Sequence, residues 1–273
     1  MSRVVVGFDF SSGSAYAVDL AIDVANRWKS DIRLVYVKEK DEDETPIRAE
    51  IERRNAAVGH LLHGIKLEYV IREGSPADQL VAQAEADDAK LLIVGTHGMS
   101  GIKKSMLGRN SYKTIERSPV PVLVVREDFN FNKSLEKIVV PIDSSDDTRQ
   151  KVAIAAHFAK TFGSTLHLVG LYTSSVQDVR HIVDNYLNMV VRFLDKNEVK
   201  YEVKKLDVEK NVTLTTLEYA NSIHADLIAI MTEQEKNLTS LILGTYAQQM
   251  LNMSTIPVLS VRPTQVVTDT ASY

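Results

Sequence analysis

The residues best suited to chemistry form a glycine-rich stretch between positions 95 and 111. It has the pattern Gly, two residues, Gly, nine residues, Gly, and the residues of interest are Gly95, Thr96, His97, Gly98, Gly108, Arg109, Asn110 and Ser111. Glycines let the backbone approach a ligand closely, and clustered amide groups at the start of a helix bind anions. From Gly95 to Lys113 there are four basic residues and no acidic one. The stretch therefore predicts a phosphate site; the alternative interpretation is a mobile glycine-rich loop with a solvated basic face.

The elements that must position this stretch occur twice along the chain of 273 residues. A shift of 134 residues places Val4 on Ile138 and brings Asp9 onto Asp143. Near the end of each copy a shift of 136 residues works instead, and it aligns the Pro-Val-Leu triplets at 121–123 and 257–259. Colinear matches at both ends indicate a duplication, with a two-residue insertion in the second copy. We therefore predict domains at residues 1–127 and 135–265 and a flexible tail at 266–273.

Hydrophobic periodicity predicts the same alternation of strands and helices in each copy. The predicted strands are Arg3–Phe8, Asp31–Val37, Lys66–Arg72, Leu91–Val94, Val120–Val125, Lys137–Ile142, Thr165–Leu171, Tyr201–Asp207, Leu227–Met231 and Val258–Val261. The predicted helices of the first copy are Ser14–Trp28, Glu50–His63, Pro76–Ala86 and Ser111–Arg117, and the Asp41–Glu44 run is interpreted as a solvated loop. Apolar strands that alternate with helices form parallel sheets covered on both faces. The predicted fold is α/β, with two doubly wound, Rossmann-like domains, each with a five-stranded parallel sheet.

The second copy acts as an internal control for the glycine-rich stretch. Met231 stands at the position of Gly95, and Gln234 stands at the position of Gly98. Between Met231 and Gln249 two glutamates accompany a single lysine, and these carboxylates would repel phosphate. Because the copies differ here, we attribute the glycines and basic residues of the first copy to a ligand. The expectation is one competent site and one degenerate site.

Both copies resemble the domains of the universal stress protein family, and the whole chain resembles its tandem members. The resemblance spans Arg3 to Arg262 and rests on the first strand ending at Asp9, the Gly74-Ser75-Pro76 turn, the glycine spacing and the Pro-Val-Leu-Val-Val run at 121–125. It implies a stress-response or regulatory module that binds ATP or a related adenine nucleotide, with or without magnesium, in the first domain only. Arg109 departs from the pattern, since the nucleotide-binding members have serine or threonine there.

The resemblance also implies roles for individual residues. Asp9 and the backbone around Val37 would lie near the ribose and adenine, whereas the residues of the glycine-rich stretch would hold the phosphates. Arginine is a good phosphate ligand, so Arg109 could replace the hydroxyl. It could equally block the pocket or point to solvent, and Ser111 would then offer a hydroxyl two residues on. Asp9 has a simpler explanation as well, because Asp9 or Ser11 could cap the first helix.

Two other classes of function stay open. The Ser11-Ser12-Gly13-Ser14 run distantly resembles the loop of pyrophosphatase-loop adenylating enzymes, although it lacks that loop's second glycine and aspartate. The second alternative is a protein-interaction module that uses no nucleotide. No catalytic residue and no metal site are predicted: His97 is interpreted as an ordinary loop histidine, and slow ATP hydrolysis remains open.

Composition limits the partners and the compartment. With 32 basic and 36 acidic residues the net charge is −4, which argues against nucleic-acid or electrostatic membrane binding. No stretch approaches the roughly 20 apolar residues of a membrane span. The absence of cysteine suits the cytoplasm. The strands at 120–125 and 257–261 are expected to pair within the chain in an intramolecular pseudo-dimer that leaves further homodimerisation open; protein partners stay unknown.

Overall fold

The computed structural model describes residues 3–96, 107–126, 134–232 and 243–263. The elements of the first domain are β1 (Arg3–Phe8), α1 (Ser12–Trp28), β2 (Asp31–Lys38), α2 (Glu44–Val58), β3 (Leu67–Glu73), α3 (Pro76–Ala86), β4 (Ala89–Gly95), α4 (Arg109–Arg117) and β5 (Val122–Val125). Those of the second are β6 (Lys137–Ile142), α5 (Val152–Phe162), β7 (Thr165–Tyr172), α6 (Gln177–Lys196), β8 (Tyr201–Asp207), α7 (Val212–Ser222), β9 (Leu227–Met231), α8 (Thr245–Met253) and β10 (Val258–Val261).

The strands join in one ten-stranded sheet with the order β3-β2-β1-β4-β5-β10-β9-β6-β7-β8. Neighbouring strands within each domain are parallel. The winding reverses between β1 and β4 in the first domain and between β6 and β9 in the second. This strand order confirms the predicted α/β, doubly wound fold. Ligands of doubly wound sheets bind at the carboxyl ends of the strands where the winding reverses.

The two domains meet along their last strands, which pair antiparallel. Leu259 lies opposite Leu123 in this pair. Helices α1 and α5 also touch across the junction, where the ring centroids of Trp28 and Phe158 are 5.0 Å apart. One apolar layer, containing α1, α2, α5 and α6, covers one face of the sheet, and a second layer with α3, α4, α7 and α8 covers the other. Among the described residues no helix is long and apolar enough to cross a membrane.

Helix α2 corrects the prediction of a helix over Glu50–His63. The helix begins at Glu44, because Asp43 caps it by accepting the Thr45 N–H at 2.9 Å. Pro46 falls in the first turn, where its missing N–H costs nothing. The Asp41–Glu44 run is thus in part a helix start, and the helix gives way at Gly59 to a short 3₁₀ turn, Gly59–Leu61. Helix α4 likewise begins at Arg109, two residues before the predicted Ser111.

The amino-terminal ends of the strands carry different polar groups in the two domains. In the first domain Arg3 and Arg33 share the carboxylates of Glu68 and Asp87 at 3.0 to 3.2 Å. In the second domain His167 stands at the position of Arg33, and its Nδ1 is 3.2 Å from the hydroxyl of Tyr219. The side chain is buried, with 5% of its surface exposed. A buried imidazole thus takes the place of the Arg33 guanidinium, and the Glu202 carboxylate lies 3.6 Å from its Nδ1.

His167 should make the second domain less stable in mild acid. Burial lowers its pKa below the ordinary value of 6.5; Lys137 lowers it further, and Glu202 opposes both. The unfolded chain therefore binds a proton that the folded chain excludes, so the free energy of unfolding falls as pH drops below about 6.5. Urea unfolding at several pH values between 7.5 and 5 should show a weaker pH dependence for His167→Gln than for the natural chain. Replacement of the exposed His60 by glutamine is the control, and an equal slope for both variants would contradict the prediction.

Candidate nucleotide site at the reversal of the sheet

The turn after β1 is built around Asp9. Its carboxylate accepts hydrogen bonds from the Ser11 backbone N–H, at 3.1 Å, and from the Ser11 hydroxyl. Ser11 in turn caps α1 by accepting the Ser14 N–H at 3.2 Å. Asp9 is half-buried at the carboxyl end of the strand. The capping role therefore belongs to Ser11, and Asp9 holds the capping side chain in place.

Gly95 ends β4 directly against the first turn of α1. A Cβ atom at this position would lie 2.7 Å from the carbonyl carbon of Gly13 and 3.1 Å from the amide nitrogen of Ser14. Both contacts are with backbone, which cannot rotate away as a side chain can. The fold of the first domain itself requires this glycine, so our attribution of Gly95 to a ligand alone is corrected. What the glycine does is bring the β1–α1 turn against the end of β4.

The base of the glycine-rich stretch is tied to the sheet by three hydrogen bonds. The Thr96 N–H donates to the carbonyl of Val125 at 3.0 Å, and the Gly108 N–H donates to the carbonyl of Thr96 at 2.7 Å. The Ser111 hydroxyl donates to the carbonyl of Gly95 at 2.7 Å. The amides of Thr96 and Gly108 and the hydroxyl of Ser111 therefore hold the two ends of the stretch together. The anion-binding groups predicted at these three positions are already engaged by the chain.

The N-terminus of α4 lies beside this base. Gly108 is the residue that precedes the helix, and its carbonyl accepts the first intrahelical bond from Tyr112 at 3.0 Å. The amides of Arg109, Asn110 and Ser111 precede that bond and lie at the positive end of the helix. Arg109 and Asn110 are exposed, whereas Ser111 is half-buried. An exposed arginine thus begins the helix, whose N-terminus lies beside the end of β4.

The other side of the site is formed by the end of β2. Val37 lies one residue from this end and is half-buried, and Tyr36 pairs with Phe8 of β1. Burial raises the pKa of Tyr36, and the carboxylates of Glu42 and Asp9 raise it further. The Tyr36 side chain therefore stays a neutral phenol beside Asp9. Register places Val37 one step beyond this pair, next to the β1–α1 turn.

Of the ten predicted site residues, eight lie within the described chain. The structure groups them at the carboxyl ends of β1, β2 and β4: Asp9, Val37, Gly95, Thr96, Gly108, Arg109, Asn110 and Ser111. His97 and Gly98 lie outside the described residues, as do Lys103 and Lys104. Within the described residues no group of histidine and acidic side chains could hold a metal ion. Sequence reasoning missed the contact between Gly95 and Gly13, for which the only signal was the pair of glycines itself.

The matching corner of the second domain has a different shape. Asp143 keeps the same turn and accepts the Ser145 N–H at 2.9 Å. The following helix, however, begins only at Val152, after turns in which residue i+3 donates to residue i. Met231 fills the position of Gly95 and is buried. A Cβ at this position would collide with a helix that began where α1 begins in the first domain. The methionine at 231 therefore requires the first turn of α5 to lie elsewhere.

The turns before α5 leave a small cleft at this corner, of about 50 Å³. Asp143, Asp147, Lys151, Met231 and Tyr246 are among its lining residues. The Lys151 ammonium group donates to the Thr148 carbonyl at 2.6 Å and is buried. The volume is well below the roughly 300 Å³ at which small-molecule pockets begin. Asp143 and Asp147 also give this corner two carboxylates, which repel anions.

Comparisons with known proteins agree with this architecture. The sequence model of the universal stress protein family matches residues 1–126 and 134–262. The universal stress protein YxiE of Bacillus subtilis is 30% identical over an alignment of 148 residues, which covers 46% of this chain and 99% of that protein. A universal stress protein structure from Archaeoglobus fulgidus covers 95% of this chain and 98% of its own, with a TM-score of 0.76 and 18% identity. A universal stress protein solved in complex with cAMP is 30% identical and covers 46% of this chain and 98% of its own, with a TM-score of 0.40.

The fold and the duplicated motif thus define a tandem α/β protein. The chain belongs to the universal stress protein family, with two copies of the family's domain.

Proposed function

We propose that this chain is a stress-response or regulatory protein that binds ATP or a related adenine nucleotide in its first domain only. The role is binding rather than catalysis, and the proposed compartment is the cytoplasm. The antiparallel pairing of β5 and β10 supports an intramolecular pseudo-dimer of the two domains. Further homodimerisation would use other surfaces than these two strands.

One observation carries the proposal: Gly95 allows the β1–α1 turn and the N-terminus of α4 to converge in the first domain, whereas Met231 excludes this arrangement in the second. The first-domain corner combines an exposed arginine with helix amides that precede the first intrahelical hydrogen bond. The second-domain corner combines carboxylates with a small cleft. Charge and shape therefore favour the same domain.

The proposed roles follow from the positions of the side chains. Asp9, fixed by Ser11, would accept hydrogen bonds from the ribose hydroxyls, and the backbone at Val37 would face the adenine. The α4 amides and Arg109 would bind the phosphates, with Arg109 in place of the family's hydroxyl residue. Gly98 and His97 would complete the phosphate cradle. Thr96, Gly108 and Ser111 would hold the ends of the cradle in register.

Titration calorimetry on the intact chain tests the proposal. ATP is titrated with and without Mg²⁺, and AMP and cAMP follow under the same conditions. We expect one adenine nucleotide to bind per chain. A chain that purifies without nucleotide, gives no heat and shows no thermal shift with millimolar ATP and Mg²⁺ would instead be a protein-interaction module.

A further inference from the structure

The second domain contributes a hydrogen bond to the proposed site of the first. The backbone N–H of Leu107 donates to the side-chain Oδ1 of Asn252, at 3.1 Å. Leu107 directly precedes Gly108, the residue before α4, and Asn252 lies near the end of α8. The two residues are 145 positions apart in the chain. The contact therefore crosses the boundary between the domains.

The hydrogen bond between Leu107 and Asn252 lies next to a segment that first-domain hydrogen bonds already fix. Leu107 is buried, with 9% of its surface exposed. The next residue, Gly108, donates to Thr96, and Ser111 donates to the carbonyl of Gly95. Those two bonds come from the first domain and fix α4 against β4. The bond to Asn252, from the second domain, fixes Leu107, the residue directly before Gly108.

The type of residue at position 252 suits a neighbour of phosphate. The repeat aligns Asn252 with Glu116 of the first domain and aligns Leu107 with Leu243. An amide oxygen can accept the Leu107 N–H without a charge, whereas a glutamate there would add a negative charge near the proposed phosphates. The pairing of β5 with β10 brings α8 to the right place.

We propose that Asn252 is a positioning residue for the first-domain nucleotide site, so that the site is complete only when the second domain is docked. The proposal rests on the proposed function above. In this arrangement the degenerate second domain has a role of its own, because it holds the start of α4 and with it the phosphate-binding amides. Movement between the domains would then change nucleotide affinity without touching the nucleotide itself.

The test uses the full chain with Asn252→Ala and Asn252→Asp. Hydrogen exchange at the Leu107 amide, measured without nucleotide, should become faster in Asn252→Ala and stay slow in Asn252→Asp, because a carboxylate still accepts the bond. Calorimetry should show weaker ATP binding in Asn252→Ala, by up to about tenfold, because re-fixing the released α4 amides on binding costs at most the free energy of the one lost hydrogen bond. Asn26→Ala is the matched control, since Asn26 Oδ1 also accepts a distant backbone N–H, that of His63 at 2.8 Å, away from the site.

The outcomes separate the two proposals. Natural exchange at Leu107 in Asn252→Ala would overturn the positioning role, and so would natural ATP affinity in that variant. Equal losses of affinity in Asn252→Ala and Asn26→Ala would overturn it too, because they would reflect general loosening. If the natural chain binds no nucleotide, the proposed function fails, and the exchange experiment still decides whether Asn252 holds Leu107.

Discussion

Replacing Gly95 with alanine should lower the free energy of unfolding by about 1 to 3 kcal/mol, the usual range for overpacking a tight contact. The new Cβ would lie 2.7 Å from the Gly13 carbonyl carbon and 2.8 Å from its oxygen. Because both atoms belong to the backbone at the start of α1, the relief must come from a shift of the helix or of β4. The same shift would move the Asp9 turn away from α4, so nucleotide binding should weaken as well. Urea unfolding and calorimetry measure the two effects.

Gly59→Ala is the matched control for this substitution. Gly59 has no atom within 4 Å of an added Cβ, and its φ of −55° suits alanine. This variant should be as stable as the natural chain or slightly more stable, because alanine restricts the unfolded chain. Equal stability of Gly95→Ala and Gly59→Ala would contradict the packing account of the β4 end.

Replacing Gly98 with glutamate should reduce ATP affinity at least about 100-fold. Two unit charges 4 Å apart repel by about 4 kcal/mol at an effective dielectric constant near 20, and each 1.4 kcal/mol is about a tenfold change in affinity. A carboxylate placed in the phosphate cradle would therefore outweigh the attraction from Arg109 and the α4 amides. Calorimetry against the natural chain measures the loss.

The second domain supplies the control for Gly98→Glu. Gln234 occupies the aligned position, so Gln234→Glu adds the same charge to the copy that is proposed to bind nothing. ATP affinity should stay within about twofold of the natural value, since the added charge falls in the other copy of the domain, and salt screens charges separated by more than about 10 Å. Loss of binding in Gln234→Glu, or full binding in Gly98→Glu, would place the nucleotide elsewhere.

Much of the fold could be predicted because it depends on local patterns. The strand over Arg3–Phe8 and its copy over Lys137–Ile142 have the predicted bounds, since short runs of β-branched residues between polar ends have few other solutions. The predicted start of α2 was wrong because the pattern of apolar residues does not mark a capped, charged first turn. Asp43 and Pro46 carried that signal.

The contacts that shape the site could not be predicted in the same way. The need for glycine at 95 comes from Gly13, 82 positions earlier, and the support for Leu107 comes from Asn252 in the other domain. Neither contact leaves a periodic trace in the sequence. The late start of α5 could not be predicted either, although it accompanies the replacement of Gly95 by Met231 at the aligned position. Alignment of the two copies located the site, but only packing explains its asymmetry.

The most direct test of the central claim is a crystal structure of the full chain with ATP and Mg²⁺. We predict nucleotide density between Asp9, Val37 and the N-terminus of α4, with no nucleotide in the corner lined by Asp143 and Met231. Nucleotide bound in that second corner while the first is empty would contradict the claim. So would a segment at 95–111 folded across the end of β4 with no room for an anion.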